Sequence, residues 1–287
     1  MSVTVLGEAF IDIVIPVKNL ELGNTYHKEL KTYIGGASNI ALQISRIGVP
    51  TNYICKIGKD PFGDYLKNEL VEKNLNPVIF MDFDHPTGIC TSLVSDNGER
   101  TMVAMRGAND KLYKKELYKY SKLFLSSRII FLSGYTFTSS NNLESLNFIV
   151  NNLNKKCKII LNPGAPNIIS PYIVKWAQNY VDILIMSLEE AKIISGKNKL
   201  DDILLELENI AKTNIITLGS EGAIAIENGI IFPVKTKKLR LVDSTGAGDS
   251  FISGFIKSRI EKNDLKENVK MGNYMALKFL KEKNELS

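Results

Sequence analysis

The sequence predicts an α/β fold in which a mostly parallel sheet carries helices on both faces and a small second sheet stands off it. Three observations lead there. Short runs rich in Ile, Val and Leu recur along the chain, helical patterns lie between many of them, and one long β-prone hairpin interrupts the alternation.

The apolar runs are VTVLG (3–7), NYICKIG (52–58), RIIFLSG (128–134), KIILN (158–162), DILIM (182–186) and NIITLG (214–219). Each has the length and β-branched content of a strand buried on both faces. The first lies within MSVTVLGEAFIDIVI, where Glu8 and Asp12 interrupt the apolar residues and no basic segment comes before, so a strand is expected and not a membrane or targeting segment. In SNIALQISRIG, Ile40, Ile44 and Ile47 share one helical face and Gly48 supplies the stop. Comparable patterns occupy 64–73, 142–153, 188–195, 202–212 and 267–282. Residues 88–105, GICTSLVSDNGERTMVAM, form two extended runs joined through Asn97 and Gly98, a strong short hairpin signal. With the extended segments 11–17 and 26–33 they predict a small sheet that can act as a lid, spanning approximately 11–33 and 86–107. No internal repeat or Pro-rich linker marks a boundary, so residues 1–287 are expected to form a single domain. Strand and helix alternation places the ligand crevice beyond the carboxyl ends of the parallel strands.

Composition narrows the function. A 44% hydrophobic content over 287 residues is ample for a core, which argues against disorder. The net charge of +5 comes from scattered lysines with short clusters such as Lys235, Lys237 and Lys238, without interleaved aromatics or a nucleic-acid motif. Neither nucleic acid nor a membrane is an expected partner. Cys55, Cys90 and Cys157 lie far apart with no CxxC pair, which fits a reducing cytoplasm better than a disulfide framework or a zinc site. His27 and His85 belong to no ligand-spaced cluster, Trp176 reads as a packing residue, and Phe10, Tyr26 and Tyr33 are lid-lining candidates.

The chemistry concentrates in LVDSTGAGDSF (241–251). Phe251, Ile252, Phe255 and Ile256 make a helical stripe, which puts Gly246, Ala247 and Gly248 at a helix N-terminus. Glycines let an anion approach backbone N–H groups there, and the helix dipole favours negative charge. Asp249 beside such a site either complements the dipole or accepts a proton from an attacking hydroxyl. The chain has neither GxxxxGK[ST] nor a GxGxxG after a strand, so a P-loop and a dinucleotide fingerprint are absent.

DSTGAGDSFISGF (243–255) resembles the C-terminal signature of the ribokinase-like, or PfkB, carbohydrate kinases, and GGASNIALQISRIG with Gly58 (35–58) resembles their N-terminal one. GKDPFG (58–63), PTG (86–88), NGER (97–100), GAN (107–109), EEA (189–191) and TLGSEG (217–222) match in order, so the resemblance covers nearly the whole chain. It implies a ribokinase-like three-layer α/β/α sandwich with a β-sheet lid. It further implies Asp249 as base for the substrate hydroxyl, an anion hole at Gly246, Ala247 and Gly248, and sugar contacts from Asp12, Gly35, Gly36 and Asn39. On residue chemistry alone, Asn39 is equally suited to cap the helix that starts at Ile40. Arg106 resembles an arginine of fructokinase-like members that reaches down as the lid closes. ATP is expected at Thr217, Gly219, Ser220, Gly222, Ser187 and Asn273, with Mg²⁺ organised by Glu190 and K⁺ as a further candidate ion.

Some residues depart from the pattern. Ser187 stands where the family's Asn-x-x-Glu motif has Asn, LSGYTF lacks the glutamate of ribose-specific members near Gly134 or Tyr135, and NPGAPN (162–167) replaces Asp-Pro-Asn. The expectation is an ATP-dependent kinase acting on a hydroxymethyl group of a small sugar, with a nucleoside kinase and a non-catalytic binding protein as alternatives. A homodimer formed through the lid is expected as well.

Overall fold

The computed structural model describes residues 2–17, 30–95, 100–239 and 244–285. The Asn97–Gly98 turn, Tyr26, His27 and the 18–29 part of the expected lid lie outside the described residues. In chain order the strands are β1 (Ser2–Leu6), β2 (Ala9–Val17), β3 (Lys31–Gly36), β4 (Thr51–Gly58), β5 (Leu75–Asp82), β6 (Gly88–Ser95), β7 (Arg100–Met105) and β8 (Ser127–Ser133). They continue with β9 (Lys158–Asn162), β10 (Ile183–Ser187), β11 (Thr213–Thr217), β12 (Ala223–Glu227) and β13 (Ile230–Val234). The α-helices are α1 (Ala37–Arg46), α2 (Pro61–Glu69), α3 (Lys114–Leu117), α4 (Ser121–Ser126), α5 (Ser140–Asn151), α6 (Pro171–Tyr180), α7 (Leu188–Ser195), α8 (Leu200–Leu207), α9 (Ala247–Ile260) and α10 (Leu265–Glu285).

Among the described residues the larger sheet runs β13-β12-β11-β10-β9-β8-β1-β4-β5, parallel except for the antiparallel β12 and β13 at one edge. Successive side chains of a strand point to opposite faces, and both faces are covered. Ile129 and Phe131 of β8 pack with residues of α1, α9 and α10 on one side. Ile130 and Leu132 pack with residues of α5, α6, α7 and α8 on the other, which completes three layers. Trp176 is a packing residue there, buried against Phe137 and Tyr180, with its indole N–H donating to Asn147.

The smaller sheet has the order β3-β2-β6-β7 and begins only three residues after β1 ends. Its hinge accounts for several of the matched landmarks. Asp60 caps α2 by accepting from Gly63 N–H (2.8 Å), and its carboxylate also takes the N–H and hydroxyl of Thr87 (2.7 and 2.8 Å). Asn109 closes the other side, with its amide accepting from and donating to the backbone of Ala9 (2.8 and 2.9 Å). GKDPFG, PTG and GAN therefore fix where the smaller sheet leaves the larger one.

The helix containing Asn39 starts earlier than its apolar stripe suggests. Gly36 occupies the N-cap position at φ 71°, and Ala37 N–H donates to the Glu8 carbonyl (3.0 Å). Asn39 thus lies inside the first turn and is not the cap.

Candidate active site

The turn before α9 is built from its glycine and from the far end of the chain. Gly246 sits in the left-handed region at φ 89°, and a Cβ there would lie 2.7 Å from the Phe279 ring of α10. Glycine is required on both counts. Lys283, one turn further along α10, donates to the Thr245 carbonyl (3.1 Å). No side chain caps the helix among the described residues, and a Cβ at Gly248 would meet open space. Of the N–H groups expected in an anion hole, that of Ala247 donates to the Ser244 carbonyl (3.1 Å).

Asp249 occupies the first turn of α9. Burial pushes its carboxyl up to about 7, and the nearby negative charges of Glu8 and Asp12 push in the same direction. Asp12, on β2 opposite Tyr33 of β3, is held at about 6 by burial and by Glu8. Complementing a helix dipole would call for a readily ionised acid. Asp249 is instead an acid whose protonation is balanced near neutrality.

The paired glycines of GGASN are explained by these acids. A Cβ on Gly35 would collide with the Asp12 carboxylate, and one on Gly36 would lie 2.7 Å from the Glu8 carbonyl and 2.9 Å from its Cγ. Asn39 follows one turn later, half-buried. Arg106 is not a free arm of the lid. Its Nε donates to Asp110 (2.7 Å) and its Nη2 to the Tyr135 carbonyl (2.9 Å), both in segments of the main body.

Glu8 is the site residue that the sequence reading passed over. It directly follows β1 by two positions, is fully buried, and accepts from the Ser133 hydroxyl at the end of β8 (3.0 Å). Burial raises its carboxyl, opposed by a backbone hydrogen bond, Arg106 and Ser133. An acid just past the end of a buried strand was the available signal, since buried charges need partners.

The expected nucleotide residues other than Asn273 lie at or just beyond the carboxyl ends of β10 and β11. Ser187 and Glu190 form a capping box on α7: the Ser187 N–H donates to the Glu190 carboxylate (2.9 Å), and the Ser187 oxygen accepts from Glu190 N–H (3.3 Å). Burial raises the Glu190 carboxyl above its ordinary value. Gly219 (φ 56°), Ser220 and Gly222 (φ 99°) form the turn between the antiparallel β11 and β12, next to Thr217, whose hydroxyl reaches the Met186 carbonyl at 3.4 Å. Asn273 is buried and donates to the Val234 carbonyl (3.0 Å), tying α10 to β13. Glu190 suits a Mg²⁺ that keeps most of its waters, because such an ion needs few protein carboxylates.

The profile of the pfkB family carbohydrate kinases matches residues 1–284. The chain belongs to this family. It is thus a phosphotransferase of the ribokinase and adenosine kinase type. A ribokinase of Dictyostelium discoideum is 28% identical, over 96% of this chain and 93% of that protein. Adenosine kinase 2 of Arabidopsis thaliana is 26% identical, over 84% of this chain and 76% of its own. A candidate ribokinase II from E. coli, solved with ATP and Mg²⁺, superposes with a TM-score of 0.80 at 21% identity, covering 96% and 91% of the two chains. The pfkB kinase fold thus accounts for the three layers and the small sheet alike.

Proposed function

We propose that the chain transfers the γ-phosphate of ATP to a hydroxymethyl group of a small sugar, with Asp249 as the base. The observation that carries this is the placement of Asp249 on the first turn of a helix with a glycine N-cap, where burial pushes its carboxyl up to about 7. A general base works best when its proton affinity lies near the working pH. The sugar's hydroxyls would be taken by Asp12, Asn39 and the backbone around Gly35 and Gly36. A carboxylate accepts from two hydroxyls, and an amide both donates and accepts.

Asp249 would accept the proton of the attacking hydroxyl, while the N-terminal turn of α9 stabilises charge on the transferred group. Phosphoryl transfer has a loose transition state, so that stabilisation matters more than forceful deprotonation. Thr217, Gly219, Ser220, Gly222, Ser187 and Asn273 border the proposed nucleotide end. Glu190 would hold Mg²⁺ through water, and the ion would neutralise phosphate charge. The lid sheet would close over the sugar and keep water from the phosphate.

A nucleoside kinase is the second reading, favoured by the 26% identity to an adenosine kinase. ATP consumption measured with fructose, ribose, 2-keto-3-deoxygluconate, adenosine, cytidine and pseudouridine separates the two. Turnover confined to the nucleosides would replace the sugar reading. Repeating the assay with K⁺ exchanged for Na⁺ tests activation by a monovalent cation. The lid also presents exposed Tyr33, Met102, Val103 and Met105, and we place the contact of a homodimer there. A monomeric mass by light scattering at micromolar concentration would contradict it.

A further inference from the structure

The larger sheet ends at β5, and two hydrogen bonds settle which backbone groups of that strand point outward. Thr51 N–H donates to the Asn74 carbonyl and Lys59 N–H to the Asp82 carbonyl (both 2.8 Å), so the even-numbered residues of β5 turn their polar groups towards the parallel β4. The odd-numbered residues turn theirs outward. Leu75 N–H is taken by the Glu72 carbonyl (3.0 Å) and Pro77 has no N–H, so Ile79 holds the first open donor along this edge. A groove of about 520 Å³ crosses the edge here, between the end of α2 and residues 118–126. Buried Leu70 and Val78 and half-buried Leu123 wall it, and Val71, 77% exposed, stands at its rim. Tyr120 lines the far side, set edge-on to Phe80 with ring centres 5.6 Å apart, and the Lys119 ammonium lies 5.2 Å from the centre of its ring. Lys67 lines the groove as well, and no carboxylate does. Neither lysine belongs to an ion pair among the described residues.

We propose that this groove is a binding site for a small amphipathic anion, a molecule with a flat apolar body and one acidic head. The body lies between Leu70, Val78 and Leu123 and against the Tyr120 ring, and the head meets the Lys67 and Lys119 ammonium groups and the Ile79 N–H. The volume falls within the range of small-molecule sites, about 300–1,000 Å³. An added β-strand suits the same edge poorly. Strand pairing draws on every second residue, and with Leu75 N–H occupied and Pro77 lacking one, only Ile79 and Met81 of β5 offer outward donors. The groove lies against the amino-terminal half of β5, whereas Asp12, Ser187 and Thr217 lie at or past the carboxyl ends of β1, β10 and β11. It is therefore at the opposite end of the parallel strands from the residues proposed to hold sugar and ATP.

The probe is 8-anilinonaphthalene-1-sulfonate, a flat apolar anion, titrated by fluorescence against the whole chain, with N-phenyl-1-naphthylamine as its neutral counterpart. A saturable site is expected, filled equally well with and without ATP. Lys67→Gln and Lys119→Gln alter exposed side chains, so the fold survives them. Each should weaken the sulfonate about two- to fivefold and leave the neutral amine unchanged. Val71→Asp sets a negative charge on the rim and should weaken the sulfonate about tenfold or more. In protein labelled with ¹⁵N-isoleucine, the Ile79 amide should shift as the sulfonate saturates. Wild-type sulfonate affinity in both lysine variants, a neutral amine bound as tightly as the sulfonate, displacement by ATP, or an unmoved Ile79 amide overturns the proposal. So does a wild-type oligomer that Val71→Asp splits by light scattering, because a second copy of the chain then fills the groove.

Discussion

Gly35→Ala tests the sugar end with a single methyl group. The backbone at Gly35 is not in the left-handed region, so the substitution carries no intrinsic strain there. The whole effect comes from the new Cβ, which would occupy the position of the Asp12 carboxylate. What has to move is the end of a side chain and not backbone, so the fold should survive while Asp12 swings away from its place. On the proposed binding mode, two charge-assisted hydrogen bonds to the sugar are then lost, each worth about 1.5–3 kcal/mol. At about 1.4 kcal/mol per tenfold, even the lower sum predicts a sugar KM raised on the order of a hundredfold. Steady-state kinetics with sugar and ATP varied separately should show the ATP KM within about twofold of wild type, because the nucleotide residues are untouched. The double variant with Asp12→Ala sharpens the result. Both changes remove the same interaction, so Gly35→Ala should cost almost nothing further in that background. An unchanged sugar KM in a folded Gly35→Ala protein would refute the placement of Asp12, and full additivity would refute the shared mechanism.

Asp249→Asn should retain ATP binding by calorimetry and lose about 10²–10⁴-fold in kcat, the range for removal of a general base; near-normal turnover would remove Asp249 from that role. The same variant reports on stability. The folded-state carboxyl is raised to about 7, so folding binds a proton as pH rises past the ordinary aspartate value, and the wild type loses stability between about pH 4 and 7. Asp249→Asn should therefore melt higher than wild type at pH 8, with the gain shrinking towards pH 4. Ser187→Ala removes half of the α7 capping box and should lower stability by about 0.5–2 kcal/mol in urea titration. Gly246→Ala forces a side chain at φ 89° into the Phe279 ring, and kcat should fall well before the sugar KM changes.

Much of this architecture was readable from residue patterns because the central strands are buried on both faces. Runs such as RIIFLSG and NIITLG carry apolar residues at consecutive positions, which face both sides of the sheet, and they became β8 and β11. The α7 pattern at 188–195 was legible because Gly196 ends it in the left-handed region. β5 and β13 escaped notice since each contains a proline, Pro77 and Pro233, which normally argues against a strand. Both lie at the edges of the larger sheet, where a missing N–H is tolerated. In the site, Asp249, Asp12 and the glycine pair were visible as motifs. Glu8 and the tethering of Arg106 were not, because each depends on a residue far away in sequence, Ser133 in one case and the Tyr135 carbonyl in the other. Spacing within one segment carries no record of such contacts.

The packing of Phe279 against Gly246 and of Lys283 against Thr245 also fixes an order of assembly. Glu8, Asp12, Gly35, Asn39, Arg106 and Ser133 all leave the ribosome well before α10 does. A growing chain can therefore bring Glu8 and Asp12 together while the turn before Asp249 still lacks the aromatic ring that packs on it.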